Sequence, residues 1–231
     1  MKKAICLFSG GLDSSTALAM AVKKYGSENV LALSVFYNQK HAKELEAAKN
    51  VAKYYNVELK LLDLASIFSS SSCSLLSSSQ NEVPLSSYEE QAKKEKGPLS
   101  TYVPFRNGLF LAVAASIGLS NEAEIIYYGA HADDAILNAY PDTSTDFNKA
   151  VSEAIYLGSG KKIKVEAPFI NLSKAEVVKI GLELKVPYKL TWSCYLGHDK
   201  PCGKCGTCID RIKAFEANGV KDPLIYEGEE K

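Results

Sequence analysis

The stretch from Ser9 to Ser15 places two adjacent glycines, one carboxylate and three hydroxyls within seven residues. It follows the apolar run 4–8 and precedes a helical pattern over 16–25. That order predicts a strand, a glycine-rich turn and the N-terminus of a helix. Adjacent glycines let backbone N–H groups approach a ligand closely, and the helix start adds its positive dipole end. The stretch therefore predicts an anion-binding site, and phosphate is the anion that this arrangement favours.

This turn differs from the common nucleotide-binding loops. A Walker loop needs Lys-Ser/Thr after its second glycine, and the dinucleotide pattern needs Gly-x-Gly-x-x-Gly; neither is present. A Gly-Gly turn capped by Asp13 and Ser14, with no ligand, is the alternative that the residues alone leave open.

Four of the six cysteines crowd near the C-terminus with the spacing C-x7-C-x2-C-x2-C, at Cys194, Cys202, Cys205 and Cys208. Four thiolates at such spacing can close the tetrahedral site that structural zinc prefers. An iron–sulfur cluster is the nearest alternative, because C-x2-C-x2-C also occurs in ferredoxins. Free thiols or disulfides are a third interpretation of these cysteines. His198 lies between the first two cysteines and is expected at the surface.

Composition excludes some classes of protein. The 231 residues suffice for one large domain, alone or with an appendage. Lysine plus arginine equals aspartate plus glutamate, 27 each, so no global charge favours nucleic acid or a membrane surface. No apolar stretch has the length to span a bilayer. We expect a soluble, cytoplasmic protein that binds neither nucleic acid nor membrane.

Apolar runs alternate with helical patterns as far as about residue 185. Strands are predicted over 4–8, 29–36, 57–62, 124–129 and 163–167, and helices over 16–25, 41–55, 108–117, 146–157 and 173–185, the last with a capping box from Ser173 to Glu176. This alternation is typical of an α/β fold with a doubly wound, mostly parallel sheet and helices on both faces. Ligands then bind beyond the carboxyl ends of the strands, where the Ser9 turn falls.

We expect a main domain over 1–187 and a metal-binding segment over 188–231, packed as part of the same domain. The serine-rich stretch 65–100 interrupts the alternation. It is interpreted as a mobile excursion over the active site or at a dimer surface; a disordered insertion is the alternative.

The Ser-Gly-Gly-x-Asp-Ser pattern resembles the pyrophosphate loop of the PP-loop ATP pyrophosphatases. Together with the four cysteines, it makes the whole chain similar to the 7-cyano-7-deazaguanine synthase family of the queuosine pathway. Other elements that carry the resemblance are Val103-Pro104 with Arg106-Asn107, Tyr140-Pro141-Asp142, Phe147, Pro168 with Lys174, and Thr191 to Cys194.

The resemblance implies an adenine nucleotide α-hydrolase-like fold, structural Zn²⁺, Mg²⁺ and a homodimer. It implies conversion of 7-carboxy-7-deazaguanine and ammonia to the nitrile with ATP as co-substrate. Adenylation would make the carboxylate an acyl donor, ammonia would give an amide, and a second adenylation would allow dehydration. Positioning and charge neutralisation then dominate catalysis.

Site residues follow from the turn and from the resemblance. Those expected to hold ATP are Phe8, Ser9, Gly10, Gly11, Leu12, Asp13, Ser14 and Ser15. The catalytic candidates are Asp13, which would also reach Mg²⁺, Arg106 and Lys174; a surface ion pair and a solvated lysine are the alternatives for the last two. The substrate candidates are Arg106, Asn107, Asp133, Asp134, Tyr140 and Asp142, of which the aspartates could equally be turn caps. His131 is expected as a buried, satisfied histidine.

The resemblance departs from the family pattern after Asp142. The family often continues Cys-Arg-Pro-Glu-Phe, whereas this chain has Thr-Ser-Thr-Asp-Phe over 143–147 and lacks the basic side chain. A paralogue that passes the adenylated deazaguanine to another amine, such as a protein N-terminus, is therefore an alternative. Two further alternatives remain. One is a tRNA-modifying or sulfur-transferring relative, and the other is a zinc-dependent nucleotide-binding regulator.

Overall fold

A parallel sheet of five strands forms the centre of the computed structural model, which describes residues 2–40, 43–94 and 97–229. In sheet order the strands are β3 (Glu58–Asp63), β2 (Val30–Phe36), β1 (Ala4–Leu7), β4 (Ile125–Tyr127) and β5 (Lys164–Glu166). All neighbouring pairs are parallel. The predicted fold class and all five predicted strands are confirmed.

Seven α-helices connect and cover the strands in the described residues. They are α1 (Leu12–Tyr25), α2 (Lys43–Tyr55), α3 (Tyr88–Lys94), α4 (Arg106–Ser120), α5 (Thr145–Gly158), α6 (Lys174–Glu183) and α7 (Gly206–Glu216). The five predicted helices are confirmed, although His41, at the predicted start of α2, lies outside the described residues. The capping box between Ser173 and Glu176 is present. The sequence did not predict α3 or α7.

The helices divide between the two faces of the sheet. Alternate residues of β1 point to opposite sides, so that Ala4 and Cys6 pack with one cluster and Ile5 and Leu7 with the other. The first cluster includes apolar residues of α1, α2, α6 and α7, and the second those of α4 and α5. The prediction of helices on both faces is confirmed.

The strand order reverses direction at β1. The chain runs outward from β1 through β2 to β3, then returns to place β4 on the other side of β1. Open α/β sheets bind ligands in the crevice that this reversal leaves at the carboxyl ends of the two strands. Here the turn after β1 and the segment after β4 lie at that crevice. No helix in the described part of the chain is long and apolar enough to cross a membrane.

Within the described residues 65–94 and 97–100, the serine-rich stretch packs against the rest of the fold. Ser74 N donates to Ser100 O at 2.8 Å, and Leu76 forms an antiparallel bridge with Gln39. Cys73, Leu75 and Leu76 are buried in one apolar cluster with the four C-terminal cysteines. The stretch therefore packs against the cysteine segment.

Candidate active site

The turn between β1 and α1 depends on Gly10. Its φ of +86° is a left-handed conformation that side chains other than glycine rarely adopt. A Cβ atom there would also lie 2.4 Å from the backbone nitrogen of Ala48 and 2.6 Å from the carbonyl oxygen of Glu44. Gly10 is therefore what allows α2 to pack directly against the turn.

Hydrogen bonds between the serines and the backbone fix the shape of the turn. The hydroxyl of Ser14 donates to the Gly11 carbonyl at 3.2 Å and lies 3.1 Å from the Ser9 hydroxyl, which accepts from Gly11 N. Ser9 remains exposed. The two hydroxyls and the N-terminal N–H groups of α1 thus lie close together, as an anion site requires.

A cavity of about 220 Å³ opens at this turn. Of the residues predicted to hold ATP, those that line it are Phe8, Ser9, Gly11, Leu12, Asp13 and Ser14. Gly10 faces α2 instead. Ser15 is fully buried, and its hydroxyl has no hydrogen-bond partner among the described residues. The structure thus brings six of the eight predicted residues to one cavity.

Asp13 and Lys174 both line this cavity and contact each other. Lys174 is the first residue of α6 and only 6 % exposed, and its Nζ atom lies 3.2 Å from Asp13 Oδ2. Burial alone would lower the pKa of Lys174, but the carboxylates of Asp13, Asp134 and Asp210 raise it. Burial likewise raises the pKa of Asp13, but the neighbouring Lys174 and His131 outweigh burial and lower it. Both groups are therefore held in their ionised forms.

His131 follows β4 and is buried beside this pair. Its Nε2 atom lies 3.2 Å from Lys174 Nζ, 3.4 Å from Asp134 Oδ1 and 3.8 Å from Asp13 Oδ2, whereas Nδ1 has no partner among the described residues. The sequence predicted that His131 is buried with both ring nitrogens hydrogen-bonded. His131 is buried, but its Nδ1 atom lacks a hydrogen-bond partner among the described residues. Gly129, two residues earlier, lets the segment after β4 approach the start of α1, because a Cβ there would lie 3.0 Å from the Asp13 carbonyl carbon.

Arg106 begins α4 and also lines the cavity. Its Nη1 donates to the Tyr37 hydroxyl at 3.1 Å, and its guanidinium lies 5.4 Å from the centre of the Tyr37 ring. No ion pair involves Arg106 within the described residues. Because Arg106 lines the cavity, its guanidinium can contact an anionic ligand there. Sequence reasoning did not find Tyr37, because a tyrosine after a buried strand has no distinguishing spacing.

Two of the predicted substrate-binding aspartates cap helices. Asp142 is 2 % exposed and accepts from Asn107 N at 2.7 Å and Asn107 Nδ2 at 3.1 Å, at the start of α4. Asp133 accepts from Lys174 N at 2.7 Å, at the start of α6. Neither lines the cavity, whereas Asp134, Asn107 and Tyr140 do. The alternative of capping roles therefore describes the contacts of Asp133 and Asp142.

Tyrosines form an aromatic side of the cavity. Tyr140 packs edge-on against Tyr88, with ring centres 5.6 Å apart, and the Tyr88 hydroxyl lies 2.6 Å from that of Tyr195. All three line the cavity, as does Glu44 of α2. Tyr88, Tyr195 and Glu44 were not predicted. Tyr88 belongs to the serine-rich stretch, and the only signal for Tyr195 was its position after Cys194.

The four predicted cysteines converge at the start of α7. Their Sγ atoms all lie within 4.8 Å of one another, and all four residues are buried. Backbone N–H groups donate to these sulfurs at 3.3–3.4 Å, from Leu196 and Cys202 to Cys194 and from Lys204 and Cys205 to Cys202. Four converging thiols with N–H donors are a donor set that fits a metal. His198 is exposed and instead contacts Glu227 at 2.6 Å.

A buried arginine ties the cysteine segment to the cavity. Arg211 of α7 donates to both oxygens of Asp222, at 2.6 and 3.1 Å, to the Thr191 and Ser193 hydroxyls and to the Tyr188 carbonyl. Next to these residues, Trp192 N donates to the Gly10 carbonyl at 3.0 Å. The segment before Cys194 is thus held against the turn after β1.

A comparison with family models adds to this geometry. The model described as "Queuosine biosynthesis protein QueC" matches residues 3–219. The chain belongs to the QueC family. The resemblance seen in the sequence is therefore confirmed.

Relatives of this QueC-family chain are similar over nearly their whole length. The 7-cyano-7-deazaguanine synthase of Archaeoglobus fulgidus is 43% identical over 99% of this chain and 92% of that relative. The 7-cyano-7-deazaguanine synthase of Caldicellulosiruptor saccharolyticus is 43% identical over 97% of this chain and 96% of that relative. The 7-cyano-7-deazaguanine synthase 2 of Colwellia psychrerythraea is 40% identical over 98% and 99%.

Solved structures agree with the fold of the QueC-family chain. NMN synthetase from Francisella tularensis has a TM-score of 0.53 at 16% identity, over 95% of this chain and 78% of that one. The U34-tRNA thiolase NcsA from Methanococcus maripaludis has a TM-score of 0.50 at 16% identity, over 94% and 66%. At this identity the likeness concerns the fold alone.

Proposed function

We propose that this QueC-family protein converts 7-carboxy-7-deazaguanine and ammonia to 7-cyano-7-deazaguanine, with ATP as co-substrate. The observation that carries the proposal is one cavity that holds the Ser9–Ser14 turn, the Asp13–Lys174 pair and Arg106. The names of relatives with 36–43% identity support the same activity.

The turn and the two basic residues suit adenylation of a carboxylate. A carboxylate reacts poorly with ammonia, because oxide would have to leave. Transfer of AMP to it makes a mixed anhydride, while diphosphate leaves toward the turn. In our proposal Ser9, Ser14 and the N–H groups of α1 bind the β- and γ-phosphates, and Lys174 neutralises the charge that develops there. Arg106 then faces the α-phosphate or the substrate carboxylate.

Two further steps complete the reaction. Ammonia attacks the acyl carbon, AMP leaves and an amide forms. Adenylation of the amide oxygen, followed by loss of AMP and protons, gives the nitrile. The protein forms no covalent bond in either step, so positioning and charge neutralisation supply the rate enhancement.

Asp13 has the properties of a ligand for the Mg²⁺ that accompanies ATP. Its Oδ1 atom is buried and has no hydrogen-bond partner among the described residues, while Oδ2 contacts Lys174. Mg²⁺ prefers carboxylate oxygens and the phosphates of its nucleotide, and it would supply charge neutralisation.

For the cysteine site we propose structural zinc, held by Cys194, Cys202, Cys205 and Cys208. Four sulfurs bound to one zinc at about 2.3 Å lie about 3.8 Å from one another. The observed separations, 4.8 Å or less, are close to that value, whereas the thiolates around a cluster of four irons must stand further apart. Zinc would stabilise the segment that lines the cavity.

The resemblance also supports a homodimer in the cytoplasm that acts on small molecules. The balance of 27 basic and 27 acidic residues supports a partner other than nucleic acid. Light scattering on the purified protein tests the dimer.

The proposed activity is tested by incubating the protein with MgATP, ammonium and 7-carboxy-7-deazaguanine. We expect the nitrile by mass spectrometry, with two AMP and two diphosphate formed for each nitrile. Formation of ADP and phosphate, or nucleotide cleavage that does not depend on the deazapurine, would contradict the proposal. Product formation only when a protein amine is added would instead indicate the paralogue.

A further inference from the structure

Glu44 is a carboxylate in the cavity that the proposed reaction does not use. Of the described residues, three carboxylates line the cavity: Asp13, Glu44 and Asp134. Asp13 contacts Lys174 at 3.2 Å, and Asp134 lies 3.4 Å from His131 Nε2. Glu44 forms no ion pair or hydrogen bond through its carboxylate within the described part of the chain. Its neighbour Lys43 lies 3.8 Å from Asp199 instead.

The position of Glu44 is fixed by the packing of α2. Gly10 brings the first turns of α2 into direct contact with the turn after β1, since a Cβ there would overlap with the Glu44 carbonyl. The side chain of Glu44 lines the same cavity as the turn after β1. Tyr37, Arg106 and Tyr195 line the same cavity. These aromatic walls suit a flat heterocycle.

The electrostatics of Glu44 favour a ligand that donates hydrogen bonds. Burial in the cavity raises the pKa of Glu44 to about 7, while Arg106 lowers it. A carboxylate taken out of water without donors is unfavourable. Two N–H donors supplied by a ligand would stabilise the ionised form.

The base of the proposed substrate has such donors. A 7-deazaguanine presents a ring N–H and an exocyclic amine side by side, and the two oxygens of one carboxylate can accept from both. The carboxylates that the sequence offered as substrate candidates are Asp133, Asp134 and Asp142. Asp133 and Asp142 accept hydrogen bonds at helix N-termini, and Asp134 lies 3.4 Å from His131 Nε2. Among the described residues, this leaves Glu44 as the cavity carboxylate without a partner.

We propose that Glu44 binds the donor edge of the deazaguanine base and thereby selects this base among deazapurines. The assignment rests on the proposed function, because it takes the substrate class from there. It adds a specificity-determining residue that neither the turn nor the cysteine spacing indicated.

The test compares two substrates on two enzymes. Wild type and Glu44→Gln are assayed with 7-carboxy-7-deazaguanine and with the analogue that lacks the exocyclic amine. We expect wild type to prefer the natural substrate by about 10- to 100-fold in kcat/KM, the range for hydrogen bonds to a charged group. In Glu44→Gln this preference should fall toward one, with the KM for MgATP unchanged.

Glu46→Gln is the matched control, because Glu46 is exposed two residues further along α2. It should keep the wild-type preference. Glu44→Asp, which keeps the charge on a shorter side chain, should give an intermediate preference even if Glu44→Gln folds poorly. An unchanged preference in both Glu44 variants would overturn the assignment, as would a defect confined to the KM for ammonium, which would place Glu44 at the nucleophile. Absence of turnover in wild type would contradict the proposed function instead.

Discussion

The ammonium group of Lys174 lies 3.2 Å from a carboxylate oxygen of Asp13. This contact joins the first turn of α6 to the first turn of α1, two helices that start at the carboxyl side of a parallel sheet. A lysine at a helix N-terminus is unfavourable for the helix dipole. Its burial against Asp13 supports the proposal that Lys174 serves the anion site rather than the helix.

Lys174→Met should lower kcat by about 100- to 1,000-fold, because a positive charge facing the phosphates is lost. Steady-state measurement of diphosphate release checks this. Lys179→Met is the control, since Lys179 is exposed on the same helix and should retain wild-type rates. Wild-type turnover by Lys174→Met would show that the phosphates bind elsewhere.

The same pair predicts how stability depends on pH. The pKa of Asp13 is lowered in the folded protein, because Lys174 and His131 outweigh its burial. The ionised pair therefore contributes stability above the ordinary aspartate pKa of about 4, and this contribution disappears as pH falls through the lowered pKa. The difference in unfolding free energy between wild type and Lys174→Met should accordingly shrink below about pH 4 in urea titrations. A difference that is constant across that range would show that the pair is not ionised.

Asp142→Asn tests whether Asp142 caps α4 or binds substrate. Its carboxylate accepts two hydrogen bonds from Asn107, so an amide that turns one NH₂ toward these donors should cost about 1–3 kcal/mol of stability. The KM for the deazapurine should stay near that of wild type. If instead that KM rises steeply while the melting temperature is unchanged, Asp142 contacts the base.

Cys205→Ser should lose the metal and lower the melting temperature, because metal binding at a structural site contributes to folding. Elemental analysis of wild type should find about one zinc per chain. Cys6→Ser is the control, since Cys6 is buried away from the other cysteines and should lower stability without loss of metal. Iron and a visible chromophore in wild type would contradict the assignment of zinc.

Arg211→Met should destabilise the protein by about 3–5 kcal/mol, the usual cost of leaving one partner of a buried pair alone. The side chains of Arg211 and Asp222 are 1% and 3% exposed. Because Arg211 also holds Thr191 and Ser193, activity should fall together with stability in urea unfolding and kinetic assays. Lys213→Ala, exposed on the same helix, should change neither.

Much of the fold followed from periodic patterns. Buried strands such as β2 have long apolar runs. The capping box of α6 follows from the three-residue spacing of Ser173 and Glu176. The helices α3 and α7 were missed for physical reasons. The first has 7 residues in a polar stretch, and the second begins between Cys205 and Cys208, whose spacing points to a metal rather than a helix.

The candidate site was predictable where one short segment carries it. The turn around Asp13 and the four cysteines are local patterns, because each lies within one short segment, 9–15 and 194–208. Glu44, Tyr37 and Tyr88 reach the cavity only through tertiary packing, and nothing in their spacing distinguishes them from other helical or loop residues. Asp133 and Asp142 lie in segments that the sequence linked to the substrate, but their carboxylates accept hydrogen bonds from the N-termini of nearby helices instead.

The most direct test of the account is a crystal structure with Mg²⁺ and an ATP analogue that cannot be cleaved between its α- and β-phosphates. We predict the β- and γ-phosphates against the hydroxyls of Ser9 and Ser14 and the N–H groups that begin α1, with Lys174 within contact distance. A triphosphate bound away from this turn, or a turn closed by its own side chains in the complex, would contradict the central claim.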